Sequence, residues 1–165
     1  MALRGFWTAT ALAGSALVLI ACGHDHVTTA AAGLGPSFGL FYNDQGSTVS
    51  LAYGQANSDD VALMLQCAKH SGKVDVTDTV RGPGGKTLVL ASAGRTSQLA
   101  AKLQASESDA PLLLLAHADL ADGALQGFRR SGRINVAYGS VRYGLQASGG
   151  ERAGLAQFFS ACARA

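Results

Sequence analysis

The stretch Ile134-Asn135-Val136-Ala137-Tyr138-Gly139-Ser140-Val141-Arg142-Tyr143-Gly144-Leu145 decides the fold class. Ile134, Val136 and Tyr138 alternate with small or polar residues, and so do Val141, Tyr143 and Leu145, with Gly139 and Ser140 between the two runs. A period of two sends one set of side chains to one face of a strand, and a two-residue connection containing glycine closes an antiparallel hairpin. The spacing predicts two paired strands with one buried face.

On the carboxyl side, Glu151 to Ala163 repeats its apolar residues at helical spacing, with Leu155, Phe158, Phe159 and Cys162 on one face. On the amino side, Leu120, Ala124, Leu125 and Phe128 also fall at helical spacing, with Asp119 at the expected cap and Gly132 as the stop. Arg129 and Arg130 stand in the last turn, where positive charge offsets the helix dipole. The leucine run after Pro111, ending at Leu115, predicts a strand.

Further upstream the chain is β-patterned. Phe38, Leu40 and Tyr42 alternate, as do Val49, Leu51 and Tyr53; Val61 to Cys67 is a short apolar run, and Val74, Val76 and Val80 mark another strand. Thr87 to Ala91 gives one more, after the Gly82-Pro83-Gly84-Gly85-Lys86 turn. Residues 97 to 104 fit both periods, because Leu99 and Leu103 suit a helix while Leu99, Ala101 and Leu103 suit a strand. The expected class is α+β: an antiparallel, β-rich sheet, curled or sandwich-like, with two helices in the last third.

The chain has 165 residues, 48% hydrophobic and 15% charged, with a formal charge of +2. That length suits one domain, and the hydrophobicity excludes an intrinsically disordered chain. The densest basic stretch is Arg129, Arg130 and Arg133, which is too sparse for a nucleic-acid binder, so no nucleic-acid partner is expected.

Residues 1–21 have the layout of an export signal: a short start carrying Arg4, then an apolar or small stretch from Gly5 to Ala21. The apolar core is shorter than the ~20 residues a spanning helix needs. Leu19, Ile20, Ala21 and Cys22 resemble the lipobox of bacterial lipoproteins. The resemblance implies cleavage before Cys22, a diacylglycerol on its thiol, and acylation of the new amino terminus. Two or more acyl chains anchor a protein durably without a spanning helix. The alternatives are an uncut anchor helix and an ordinary cleaved signal. Gly23, where enteric lipoproteins retained in the inner membrane tend to carry Asp, favours the outer over the inner membrane, facing the periplasm. Residues 22–36 are small and polar and are expected to form a flexible tether, leaving residues 37–165 as a single periplasmic domain.

With Cys22 assigned to lipid, Cys67 and Cys162 remain, and an oxidising periplasm makes a disulfide between them the expected state. A pair of buried free thiols is the competing one. Phe128-Arg129-Arg130-Ser131-Gly132, the alternating strand and the closing helix ending at Cys162 are loosely similar to the tails of uncharacterised periplasmic proteins from proteobacteria. That resemblance implies no catalytic residue.

Other candidate chemistry is weak. Gly82 to Thr87 superficially suggests a phosphate-binding loop, but Val80 replaces the required first glycine and a strand follows where a helix is needed, so a hairpin turn is expected there. His24-Asp25-His26 offers metal-ligand types, yet lies in the tether without a fourth ligand, so no metal or cofactor is expected. His70 is placed in a surface turn; His117, Asp119 and a serine suggest a hydrolytic triad, but no Gly-x-Ser-x-Gly elbow is present. Arg129, Arg130, Arg133 and Arg142 suit an anionic headgroup or glycan as well as a solvated helix end.

The expected protein is a membrane-anchored periplasmic lipoprotein with a binding or structural accessory role in the cell envelope, its partner an envelope protein or glycan. The alternatives are an envelope hydrolase and a periplasmic enzyme inhibitor acting through glycine-rich loops. A concave pocket gathering His117, Asp119 and a serine favours the enzyme; a flat or protruding surface favours binding.

Overall fold

A computed structural model describes residues 37–105 and 111–164. The expected signal, the expected tether and Cys22, the expected lipidation site, lie outside the described residues, as do His24, Asp25 and His26. The chain runs β1 (Phe38–Asp44), β2 (Thr48–Gln55), β3 (Val61–Ala68), β4 (Lys73–Thr79), β5 (Thr87–Ser92), β6 (Arg95–Gln104) and β7 (Leu113–Asp119). It then continues through α1 (Gly123–Ser131), β8 (Arg133–Tyr138), β9 (Val141–Gln146) and α2 (Arg152–Cys162).

The nine strands form one curled antiparallel sheet in the order β1-β2-β3-β4-β7-β6-β5-β8-β9. The sheet is a half-barrel with both helices against it, α1 on β5, β6 and β8, and α2 on β1 and β2. Alternation sets the core: Val49, Leu51, Leu65, Val74, Val76, Leu88, Leu90, Leu114, Ile134 and Val136 point inward and are almost fully buried. Phe128 of α1 meets Phe159 of α2 edge to face, joining the two helices, and Phe158 meets Phe159 edge to face within α2.

The β8–β9 hairpin pairs Tyr138 with Val141 and Ile134 with Leu145, as the alternation predicts. Residues 97–104 are strand: Leu99 and Ala101 face the core while Gln98, Ala100 and Lys102 face out. Pairing with strands on both sides settles what local periodicity leaves ambiguous.

The cap of α1 is Asp122, one turn beyond Asp119. Asp122 Oδ1 accepts from the amides of Ala124 (2.9 Å) and Leu125 (3.2 Å), two donors that have no partner within the helix. Asp119 instead ends β7 and pairs with Lys73. Gly132 terminates α1 in the left-handed region (φ 67°), its amide donating to the Phe128 carbonyl at 2.7 Å. At Gly127 a Cβ would stand 2.6 Å from the Ser92 carbonyl oxygen, so the missing side chain lets α1 lie directly on β5.

The Cys67–Cys162 disulfide joins the end of β3 to the last residue of α2 across 95 positions, with a Cα–Cα distance of 5.9 Å. The turn after β3 also receives the helix end. His70 and Gly72 donate their amides to the Ala161 and Cys162 carbonyls, both at 2.9 Å, satisfying acceptors that α2 leaves unpaired.

Candidate functional site

The outward side chains of β1, β2, β3, β4 and β7 are exposed or half-buried, and antiparallel register lines them up in two rows. Asn43, Ser50, Gln66, Asp75 and His117 are successive cross-strand partners and form a polar row. Phe41, Ala52, Met64, Thr77 and Leu115 form a more apolar row beside it, continued by Lys102 on β6. The local cause is period two: Val74 and Val76 point inward and turn Asp75 and Thr77 out, and Leu114, Ala116 and Ala118 do the same for Leu115 and His117. The small residues Ser50, Ala52 and Gly54 floor a groove of about 540 Å³ flanked by Phe41 and Met64.

At one end of the polar row His117 Nδ1 lies 2.6 Å from Asp75 Oδ1. Their side chains are 83% and 61% exposed, so the pair is fully solvated. Among the described residues no serine, threonine or cysteine hydrogen-bonds His117, and the cavity of about 270 Å³ that it borders with Lys102, Leu103, Gln104 and Leu115 gathers neither Asp119 nor a described serine.

The other sequence candidates are dispersed. Asp119 meets Lys73 at 2.5 Å, and that hydrogen bond and charge hold its carboxyl below the usual range. His70 occupies the turn after β3 with its Nδ1 3.2 Å from the Ala163 carbonyl, a helix-end contact. The Gly82 to Lys86 segment precedes β5 rather than a helix, as expected of a chain without a phosphate loop. It does not close a hairpin, however: β4 pairs with β7 and β5 with β6 and β8, so the segment is a crossover. No group of three or more metal-ligating side chains occurs among the described residues.

No family model, curated protein or solved structure matches this chain. Chemistry must therefore be read from the residues themselves.

The interior holds a polar group that the sequence reading passed over. Asp78 is fully buried; Tyr143 donates to its Oδ2, while its Oδ1 has no partner. Burial pushes the Asp78 carboxyl up to about 6, against the opposing pull of the Tyr143 and Tyr138 hydroxyls and the Arg81 charge. Burial, followed by the Asp78 charge, likewise drives the Tyr143 hydroxyl well above its ordinary value. Tyr138 braces the same region, its hydroxyl accepting from the Arg81 amide at 3.0 Å and donating to the Thr79 carbonyl at 3.3 Å. The signal was present in sequence: Asp78 falls in phase with Val74 and Val76.

Proposed function

We propose that this chain is a membrane-anchored periplasmic lipoprotein, acylated at Cys22, which presents its folded domain as a binding or structural accessory module in the cell envelope. The observation that carries the binding role is the open double row on β1, β2, β3, β4 and β7. It combines amide, hydroxyl, carboxylate and imidazole groups with a groove walled by Phe41 and Met64, a mixture suited to an envelope protein or glycan lying across the strands. The exposed setting of His117, with no nucleophile hydrogen-bonded to it among the described residues, supports binding over hydrolysis. No helix of the described residues is long and apolar enough to cross a membrane, which is compatible with attachment through lipid.

The test of the binding role places a photo-crosslinking residue at Gln66 and another at Ser160, on the far helix, in the full chain within its native envelope. A product specific to position 66 that disappears when Phe41→Asp and Met64→Asp are added is expected. Equal products from both positions, or products unaffected by those substitutions, would contradict it. Peptidoglycan cleavage by the wild type that His117→Ala abolishes would instead establish the hydrolase.

A further inference from the structure

We infer that the corner formed by the end of α1 and the start of α2 is a docking surface for anionic phospholipid headgroups. This rests on the lipid-anchored reading of Cys22.

Charge is distributed unevenly. Residues 37–80 carry five aspartates against two lysines, whereas residues 123–164 carry six arginines against a single acid, Glu151. The sheet order sets β8 and β9 at the opposite edge from β1 to β4, and α2 returns from there to lie on β1 and β2. Glu151 forms no salt bridge with the arginines among the described residues; its two oxygens accept from the Leu40 amide (2.9 Å) and the Ser148 amide (2.6 Å).

Four of the arginines gather at one place. Arg129 and Arg130 close α1, Arg133 opens β8 two residues after Ser131, and Arg152 reaches back to donate to the Arg130 and Ser131 carbonyls at 3.2 and 2.5 Å. All four are exposed, and none forms a salt bridge among the described residues. Arg152 is used in covering the helix end, and Arg129 lies 6.0 Å over the Phe159 ring. Arg130 and Arg133 donate no side-chain hydrogen bond among the described residues, which leaves their guanidinium donors open to an anion.

The route of the chain points this corner toward a membrane. The segment from Cys22 enters the domain at Ser37, and Leu40, three residues on, is bonded to Glu151, the neighbour of Arg152. Fifteen positions separate Cys22 from Ser37, a length that spans no more than about 50 Å even when fully extended. An acyl anchor at Cys22 therefore confines the arginine corner close to headgroups, at a high effective concentration. Basic residues near an anionic surface each add about fivefold to binding, and the attraction fades over a Debye length.

The full chain is reconstituted in vesicles of phosphatidylcholine alone, or of phosphatidylcholine with phosphatidylglycerol, and arginines are modified with phenylglyoxal and located by mass. Reactivity of Arg130 and Arg133 should fall about fivefold or more on the mixed vesicles, with Arg142, on β9 beside the far end of β8, unchanged. Arg130→Glu/Arg133→Glu should abolish protection of Arg129 and Arg152, and Arg130→Lys/Arg133→Lys should retain it. Equal reactivity on the two vesicles, or protection that survives the charge reversal, overturns the headgroup contact. Fatty-acid labelling of the same chain reads the anchor separately. A labelled Cys22 without phosphatidylglycerol-dependent protection leaves the anchor and removes the contact; protection without a label does the reverse.

Discussion

Tyr143 on the edge strand β9 donates its hydroxyl to the buried carboxylate of Asp78 on β4, 65 positions earlier in the chain, tying the end of the sheet to its middle through the interior. The two strands are not neighbours in the sheet, so the bond is a consequence of curling.

Burial of that carboxyl, which the Tyr143 bond only partly offsets, makes stability depend on pH in an unusual direction. Asp78 is raised in the fold from 3.8 to about 6, so it takes up a proton more readily folded than unfolded. Its contribution is fully present below pH 3.8 and is lost as pH rises through about 6. The separation corresponds to about 3 kcal/mol. Asp44, Asp119 and Glu151 are shifted the opposite way, so only a difference isolates Asp78. Urea unfolding of wild type and Asp78→Asn should show the variant gaining about 2 kcal/mol relative to wild type between pH 4 and pH 7.5, the rest of the effect falling below pH 4. A constant difference across that range would refute the assignment.

Tyr143→Phe removes the donor and leaves both Asp78 oxygens without a hydrogen bond. The expected loss is about 1 to 3 kcal/mol, larger at pH 7.5 than at pH 4, and it should shrink in the Asp78→Asn background. Chemical denaturation of the four members of that cycle measures the coupling.

The Cys67–Cys162 crosslink closes a 95-residue separation, for which chain entropy gives about 4 to 5 kcal/mol at most. Cys67→Ala/Cys162→Ala should lower the unfolding midpoint in urea accordingly. Alkylation of the unfolded, unreduced wild type should leave both cysteines unmodified when its peptides are weighed.

Asp122→Ala should cost about 1 kcal/mol, because Oδ1 caps two helix amides and also accepts from Ser97 Oγ at 2.6 Å. Asp119→Ala, which removes an exposed pair, should cost a few tenths at most. Thermal unfolding of the two variants separates the caps.

Different parts of the molecule were legible for different physical reasons. The β8–β9 hairpin and both helices could be read because their signals are local: alternation about Gly139 and Ser140, and apolar residues at helical spacing. The α1 cap was displaced because Asp119 and Asp122 both precede the helix, and only the extent of β7 distinguishes them. Cys67 and Cys162 were legible by count once Cys22 was assigned elsewhere. The pairing of Asp75 with His117 was not, since it depends on β4 and β7 being neighbours despite two intervening strands. Asp78 was legible in principle, because its phase with Val74 and Val76 places a carboxyl on the buried face.

The proposed acyl anchor is read from the mass of the chain's amino-terminal peptide. Peptide from membrane-derived wild type should begin at Cys22 and carry the added mass of a diacylglycerol and an amide-linked acyl chain, while Cys22→Ala should carry neither. A wild-type peptide that begins at Met1, or that begins at Cys22 with an unmodified thiol, would contradict the account.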